Sequence, residues 1–249
     1  MESSTLRAHL IDEADLLKRA VAVAGPAARV PTCPDWTVAD LLDHVTEVYD
    51  DKLQCVRLLR EPGDADVLVR KGSPTERFEA ALAELLTEFD GRGPDSLAYT
   101  WYGPDQTVGF WIRRMACETV VHRADAELAA GRAIGPVEDD FGLDAVDEFL
   151  TVMLAWGSRA NRQWVAESLA ANAGLVVAID AGERAWTVRV TADGIDLVDG
   201  VAEDAQAAVS GTPGEVLMWL WRRLPADALV EGDRAKADAF HDLIGQFAD

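Results

Sequence analysis

The apolar residues of this chain keep helical spacing up to about residue 130 and mix helical with short strand-like runs after it, and that change constrains the fold more than any other feature. Leu6, Leu10, Leu17 and Val21 recur at helical spacing over 5–24, and Gly25-Pro26 stops the run. A proline-interrupted loop, Val30-Pro31-Thr32-Cys33-Pro34, leads to Thr37, an N-cap with Asp40 in the place of the reciprocal partner. The helix it opens runs to about Arg60. A third helix covers 74–90 with Phe78, Leu82, Leu85 and Phe89 inward, and a fourth covers 110–130. Four amphipathic helices joined by turn-rich loops predict a four-helix bundle. Beyond it come helices at 141–157 and 161–171, then short strand-like runs at 175–180, 185–191, 195–197 and 207–210. Ala181-Gly182, Asp193-Gly194 and Asp199-Gly200 separate the strands as hairpin-type turns, which predicts an antiparallel meander. Helices at 213–224 and 235–247 close the chain. The fold class expected is α+β, with domains at 1–135 and 140–249 and the boundary among Gly131, Gly135 and Pro136.

At 249 residues and 49% hydrophobic content the chain has enough material for two ordinary domains. No apolar run approaches the ~18 residues that span a membrane, and the start, Met1-Glu2-Ser3-Ser4, has no signal-peptide character, so a cytoplasmic protein is expected. The formal net charge of −21 argues against nucleic acid, whose binding draws on clustered Lys and Arg. It also means that any acidic substrate must meet a local cation. Cys33, Cys55 and Cys117 are odd in number and widely spaced, which speaks against a disulfide framework or a zinc finger.

Within the 110–130 helix, at 100° per residue, Trp111, Met115, Glu118, His122, Asp125 and Ala129 form one stripe. Phe110, Cys117, Val121 and Leu128 flank it. Arg113, Arg123 and Glu127 fall largely opposite, where the pattern places water. Glu118, His122 and Asp125 therefore point inward, where an unpaired charge is costly. A metal ion is one way to satisfy them. A surface pair or a buried hydrogen-bonded pair is the commoner outcome for Glu and His four residues apart. Cys117 reads as a small buried apolar residue, with ligand or nucleophile as the alternative. His9 and His241 read as solvated. His44, at the edge of its helix's apolar stripe and near Asp40, fits either a satisfied core histidine or a pocket ligand.

The stretch Val30-Pro31-Thr32-Cys33-Pro34-Asp35-Trp36-Thr37-Val38-Ala39-Asp40-Leu41-Leu42-Asp43-His44 resembles the opening signature of the mycothiol-dependent maleylpyruvate isomerase family. Arg114-Met115-Ala116-Cys117-Glu118-Thr119-Val120-Val121-His122-Arg123-Ala124-Asp125-Ala126-Glu127 looks like its second signature. Val209-Ser210-Gly211-Thr212-Pro213 through Trp219-Leu220-Trp221-Arg222-Arg223 is similar to its C-terminal domain. The resemblance implies a DinB-like metal-binding bundle followed by a sterol-carrier-like α+β domain. It also implies a divalent metal, zinc as first choice, held by His44, Glu118 and His122. Two imidazoles and one carboxylate with an open fourth position form a catalytic zinc set. Asp125 then reads as an orienter of His122 or a contact to the thiol cosubstrate, against an ordinary buried carboxylate. Arg223, and after it Arg222, is the cation the family's motif implies for a substrate carboxylate, with Arg223 in the catalytic role. The alternative for both is a charge at the end of the 213–224 helix. The chain departs from the family pattern at Asp35, Thr46 and Arg222, where glycine is usual, and at Cys117, where histidine is frequent. None of these removes a proposed ligand.

The chemistry expected is that of a mycothiol-dependent metalloenzyme. A free thiol has a pKa near ~8.5, and coordination to zinc deprotonates it outright. The thiolate would add to the cis double bond of a maleylpyruvate-like enoyl acid, allow rotation and leave again, or stay attached as in a transferase. The residues leave isomerase and transferase open. They also leave open a non-catalytic small-ligand-binding protein and a thiol-independent zinc hydrolase. The partners expected are a small-molecule substrate and a low-molecular-weight thiol, with the chain as monomer or homodimer.

Overall fold

Reciprocal caps fix where the second and third helices begin. In the computed structural model, which describes residues 1–248, Asp40 accepts the backbone N–H of Thr37 at 2.8 Å while Thr37 Oγ1 accepts that of Asp40 at 3.3 Å. That capping box opens α2 (Val38–Leu58). Ser73 and Glu76 repeat it for α3 (Pro74–Arg92), with Pro74 in the first turn. Thr107 caps α4 (Val108–Ala129), and α1 (Ser3–Ala24) ends at Gly25, whose φ of 81° suits glycine. These four helices build the first of two units, Met1–Gly135, around Leu10, Leu17, Leu41, Val45, Leu53, Phe78, Leu85 and Trp111.

The 30–34 segment is not simply a loop. It turns a two-stranded hairpin, β1 (Arg29–Val30) and β2 (Cys33–Thr37), with Arg29 opposite Thr37 and Val30 opposite Cys33. Pro31 lies in the turn, where a missing N–H breaks no ladder bond.

Helix α4 differs from its sequence pattern on the side assigned to water. Arg123 is 1% exposed and Glu127 is buried, whereas Arg113 is half-buried. The reason is a partner on α1. Arg123 Nε lies 2.6 Å from Glu13 Oε2, and its Nη1 lies 3.3 Å from Glu127 Oε1. Glu127 also accepts the Gly135 backbone N–H at 2.8 Å. One guanidinium thus serves two buried carboxylates, and helix periodicity carries no record of such a pairing.

The second unit, Pro136–Asp249, begins with α5 (Asp139–Glu148), which widens into a π-helical stretch at Phe149–Trp156 before α6 (Gly157–Ala160) and α7 (Arg162–Ala171). Strands β3 (Val176–Asp180), β4 (Ala185–Thr191) and β5 (Gly194–Asp199) form the expected antiparallel meander. β6 (Ala207–Ser210) departs from it, pairing in parallel with β3, Val177 opposite Ala207 and Ile179 opposite Val209. Both edges of β4 are already taken, so the free edge of β3 receives β6. A run as short as Ala-Ala-Val-Ser carries no mark of strand direction. β7 (Val230–Gly232) completes the order β5-β4-β3-β6-β7. Two helices accompany the sheet, α8 (Pro213–Leu220) and α9 (Arg234–Ile244). His241 on α9 is buried against Trp219, ring centroids 4.7 Å apart, and is not solvated as its position suggested. Among the described residues no helix is long and apolar enough to cross a membrane.

Burial pushes the Glu13 carboxyl up from 4.5 to about 7 despite Arg123. A raised carboxyl pKa favours the folded state while the proton stays on, so its contribution is present below pH 4.5 and is lost as pH rises through about 7. Urea midpoints should therefore fall across that window in the wild type and fall less in Glu13→Gln. Equal slopes for the two proteins would contradict this.

Candidate metal centre

The stripe on α4 that carries Glu118, His122 and Asp125 meets α2 at His44. A buried cross-link holds the two helices in step: Tyr49 Oη and Thr119 Oγ1 share a hydrogen bond of 2.6 Å, and Thr119 also donates to the Met115 carbonyl. Glu118 Oε1 then lies 3.0 Å from His122 Nε2 and 3.6 Å from His44 Nε2. One donor atom from each of the three residues falls within 4.8 Å of the others. Four-coordinate zinc with bonds of about 2.0–2.1 Å needs donors roughly 3.3–3.5 Å apart. The nitrogen and oxygen donors present are the types such an ion takes, and the two distances from Glu118 bracket that value.

Each donor is held from behind. The second oxygen of Glu118, Oε2, accepts a charge-assisted bond from Arg114 Nη2, one turn earlier on the same helix. His122 Nδ1 lies 3.0 Å from Asp125 Oδ2, and Asp125 Oδ1 accepts the Thr32 hydroxyl at 2.5 Å. This leaves Nε2 of His122 as the nitrogen facing Glu118. His44, one-third exposed, has the Trp36 ring 4.8 Å away and the His122 ring 5.0 Å away.

The electrostatics follow from burial. Burial alone would raise Glu118, but Arg114 and then the hydrogen bonds from His122 and His44 outweigh it and hold the carboxyl well below its ordinary range. Burial alone would lower His122, but Asp125 and Glu118 together raise it to about 9.

The structure therefore brings together His44, Glu118, His122 and Asp125. Arg222 and Arg223 belong to the second unit, past the end of α8. That helix stops at Leu220 rather than continuing to 224, because Arg222 adopts φ 62°. The N–H groups of Arg222 and Arg223 then close back on the carbonyls of Trp219 and Met218 at 3.0 and 2.8 Å, a Schellman end in which glycine is the usual left-handed residue. Arg222 Nη1 donates to the His241 carbonyl at 3.0 Å, and Arg223 Nη1 to that of Trp221 at 2.6 Å. Cys117 is fully buried outside the donor set, and the Cys55 thiol is pushed up to about 12 by burial.

Arg114, Thr32 and Trp36 were missing from the sequence reading of the site. Arg114 stands four residues before Glu118, the same spacing that singled out His122 after it. No local spacing rule links Thr32 to Asp125.

A helical unit carrying a cluster of two histidines and a carboxylate, followed by a smaller mixed-sheet unit, defines a two-part α+β protein. Two family models match it: "Mycothiol maleylpyruvate isomerase N-terminal domain" over residues 7–127 and "MDMPI C-terminal domain" over 140–239. The chain belongs to the mycothiol maleylpyruvate isomerase family. No curated protein matches it significantly. A solved structure titled "UbiJ-SCP2 Ubiquinone synthesis protein" is similar at 15% identity over 45% of this chain and 95% of that one. Its TM-score of 0.32 is too low to bear on fold or function.

The raised His122 pKa has a consequence for the chelator-treated protein. A histidine lifted from 6.5 to about 9 adds stability that is full below pH 6.5 and lost as pH rises through about 9. The thermal midpoint in EDTA should fall over that interval, and His122→Gln should flatten the fall. A wild-type profile no steeper than the variant's would contradict the pairing of His122 with Glu118 and Asp125.

Proposed function

We propose that the chain is a mycothiol-dependent metalloenzyme acting on an electrophilic small molecule, a maleylpyruvate-like enoyl acid being the substrate class favoured. Family membership supports a mycothiol-associated isomerase role in general. The observation that carries the finer reading is the convergence of His44, Glu118 and His122 from two helices, with Arg114 and Asp125 fixing the donors. In this proposal the first unit is the metal-binding domain, and the second supplies Arg223.

A divalent ion bound by these residues, zinc being the choice favoured, would supply an ionised thiol near neutral pH. Glu118, His44 and His122 would hold it. Arg114 keeps one oxygen of Glu118 occupied, so that the other faces the two imidazoles. Asp125, on Nδ1 of His122, leaves Nε2 of that ring facing Glu118. The cosubstrate sulfur forms a bond to one carbon of the cis double bond, and the electron pair moves into the conjugated carbonyl. Rotation about the resulting single bond and expulsion of the same thiolate return the trans isomer, with the thiol unconsumed. Transfer, in which the sulfur stays attached, uses the same residues. Arg223 is the proposed cation for the substrate carboxylate, with Arg222 second. The fork of a guanidinium suits a carboxylate, and the bond from Nη1 to the Trp221 carbonyl steadies one arm of Arg223.

Purified protein should carry about one zinc-like ion per chain, and turnover of maleylpyruvate-type electrophiles should require mycothiol. His122→Ala should lose most of the metal and keep its helical circular dichroism. Turnover without thiol would point to a zinc hydrolase. Full metal in His122→Ala would remove the ligand assignment, and absence of metal from the wild type would favour a small-ligand-binding protein.

Arg223→Lys keeps the charge and loses the planar fork. Carboxylate substrates should suffer by about ten- to a hundred-fold, the worth of one charge-assisted contact of about 1.5–3 kcal/mol, while metal content stays unchanged. Unaltered kinetics in Arg223→Ala would reduce this residue to a charge beyond α8.

A further inference from the structure

The β1–β2 hairpin contributes no donor atom, yet it reaches both histidines from outside their helices. Thr32, at its turn, donates to Asp125 Oδ1 at 2.5 Å, and the other oxygen of Asp125 lies 3.0 Å from His122 Nδ1. Four residues on, the Trp36 ring stands 4.8 Å from that of His44, tilted by 45°. The hairpin is itself tied down. Val30 is fully buried, Val38 N–H bonds the Ala28 carbonyl at 2.9 Å, and Ala39 N–H bonds that of Pro26 at 3.0 Å. Its last residue, Thr37, is the N-cap of the helix that carries His44.

We propose that this hairpin is a positioning clamp for the donor set: Thr32 fixes the ring of His122 through Asp125, and Trp36 restrains the ring of His44. The two restraints are of different kinds. Asp125 is fully buried, with one oxygen held by the Thr32 hydroxyl and the other facing His122 Nδ1, so loss of that hydroxyl loosens the carboxylate and the imidazole it orients. His44 is the most exposed of the three donors, at 34% for its side chain, and among the described residues no carboxylate stands behind it as Asp125 stands behind His122. A large ring against one face removes the rotamers that would swing it into water. The inference rests on the metal reading above and extends it to two positions whose side chains meet no ion.

The test is Zn2+ affinity of the chelator-stripped full-length protein, measured by competition with a chromophoric chelator, with circular dichroism and urea midpoints as the check on folding. Thr32→Val keeps the shape of the side chain and removes only its hydroxyl. It should weaken Zn2+ binding by about 10- to 100-fold, as loss of a partner behind a ligating histidine does, and Thr32→Ser should return it to within about threefold of wild type. Trp36→Ala should also weaken binding, and Trp36→Phe should recover it. The visible spectrum of the Co2+-loaded protein should change in Thr32→Val and revert in Thr32→Ser, which a merely structural role would not produce. Should Thr32→Val fail to fold, Thr32→Ala puts the same question. Wild-type affinity in the hydroxyl-less variant, or a loss that serine does not recover, would overturn the clamp. A wild-type chain that binds no Zn2+ would overturn the metal reading with it, and the two failures are distinct in the wild-type measurement alone.

Discussion

An ionised carboxylate on a helix as buried as α4 has to be answered by cations and hydrogen-bond donors, and Glu118 sets that demand for the first unit. Arg114 one turn before it and His122 one turn after it supply two answers from the same helix, and His44 on α2 supplies a third. Removing a single partner from a buried ion pair commonly costs about 3–5 kcal/mol, a large share of a domain's stability. The packing of α2 against α4, the Tyr49–Thr119 bond between them and the side chains that steady each donor all serve one geometry. A bundle could bury leucine at these positions at less risk. That it places a carboxylate, two imidazoles and a guanidinium together there instead is what makes the cluster the candidate site.

Most of the helical frame was legible because its signals are local. Thr37 with Asp40, and the spacing of Phe78, Leu82, Leu85 and Phe89, carry their own meaning wherever the rest of the chain lies. The inward direction of Glu118, His122 and Asp125 was legible for the same reason. What escaped depends on partners distant in sequence. Arg123 and Glu127 read as solvated until Glu13, on another helix, is placed beside them. Thr32 and Trp36 lie in a proline-rich stretch whose pairing as a hairpin no alternation announces.

In the second unit the same division holds. Turn residues marked the meander from β3 to β5, but the parallel seat of β6 depends on which sheet edge stays free. Arg222 shows how a departure from a family pattern acquires a physical meaning. The position where the resemblance leads one to expect glycine is the left-handed residue that ends α8, and here an arginine adopts that conformation with its guanidinium anchored on the His241 carbonyl. A non-glycine residue in that region carries a cost of roughly 1–2 kcal/mol. The chain accepts it at the residue next to Arg223, whose motif resemblance points to the substrate carboxylate.

In the proposed enzyme, His44, Glu118 and His122 bind a divalent ion through nitrogen and oxygen alone. X-ray absorption on the zinc-loaded, thiol-free protein tests it most directly. The expected result is a first shell of nitrogen and oxygen at about 2.0–2.1 Å with imidazole outer-shell scattering, lost when His122 is replaced by alanine. Sulfur scattering at about 2.3 Å, from Cys117 or another cysteine, or a shell unchanged in His122→Ala, would contradict it.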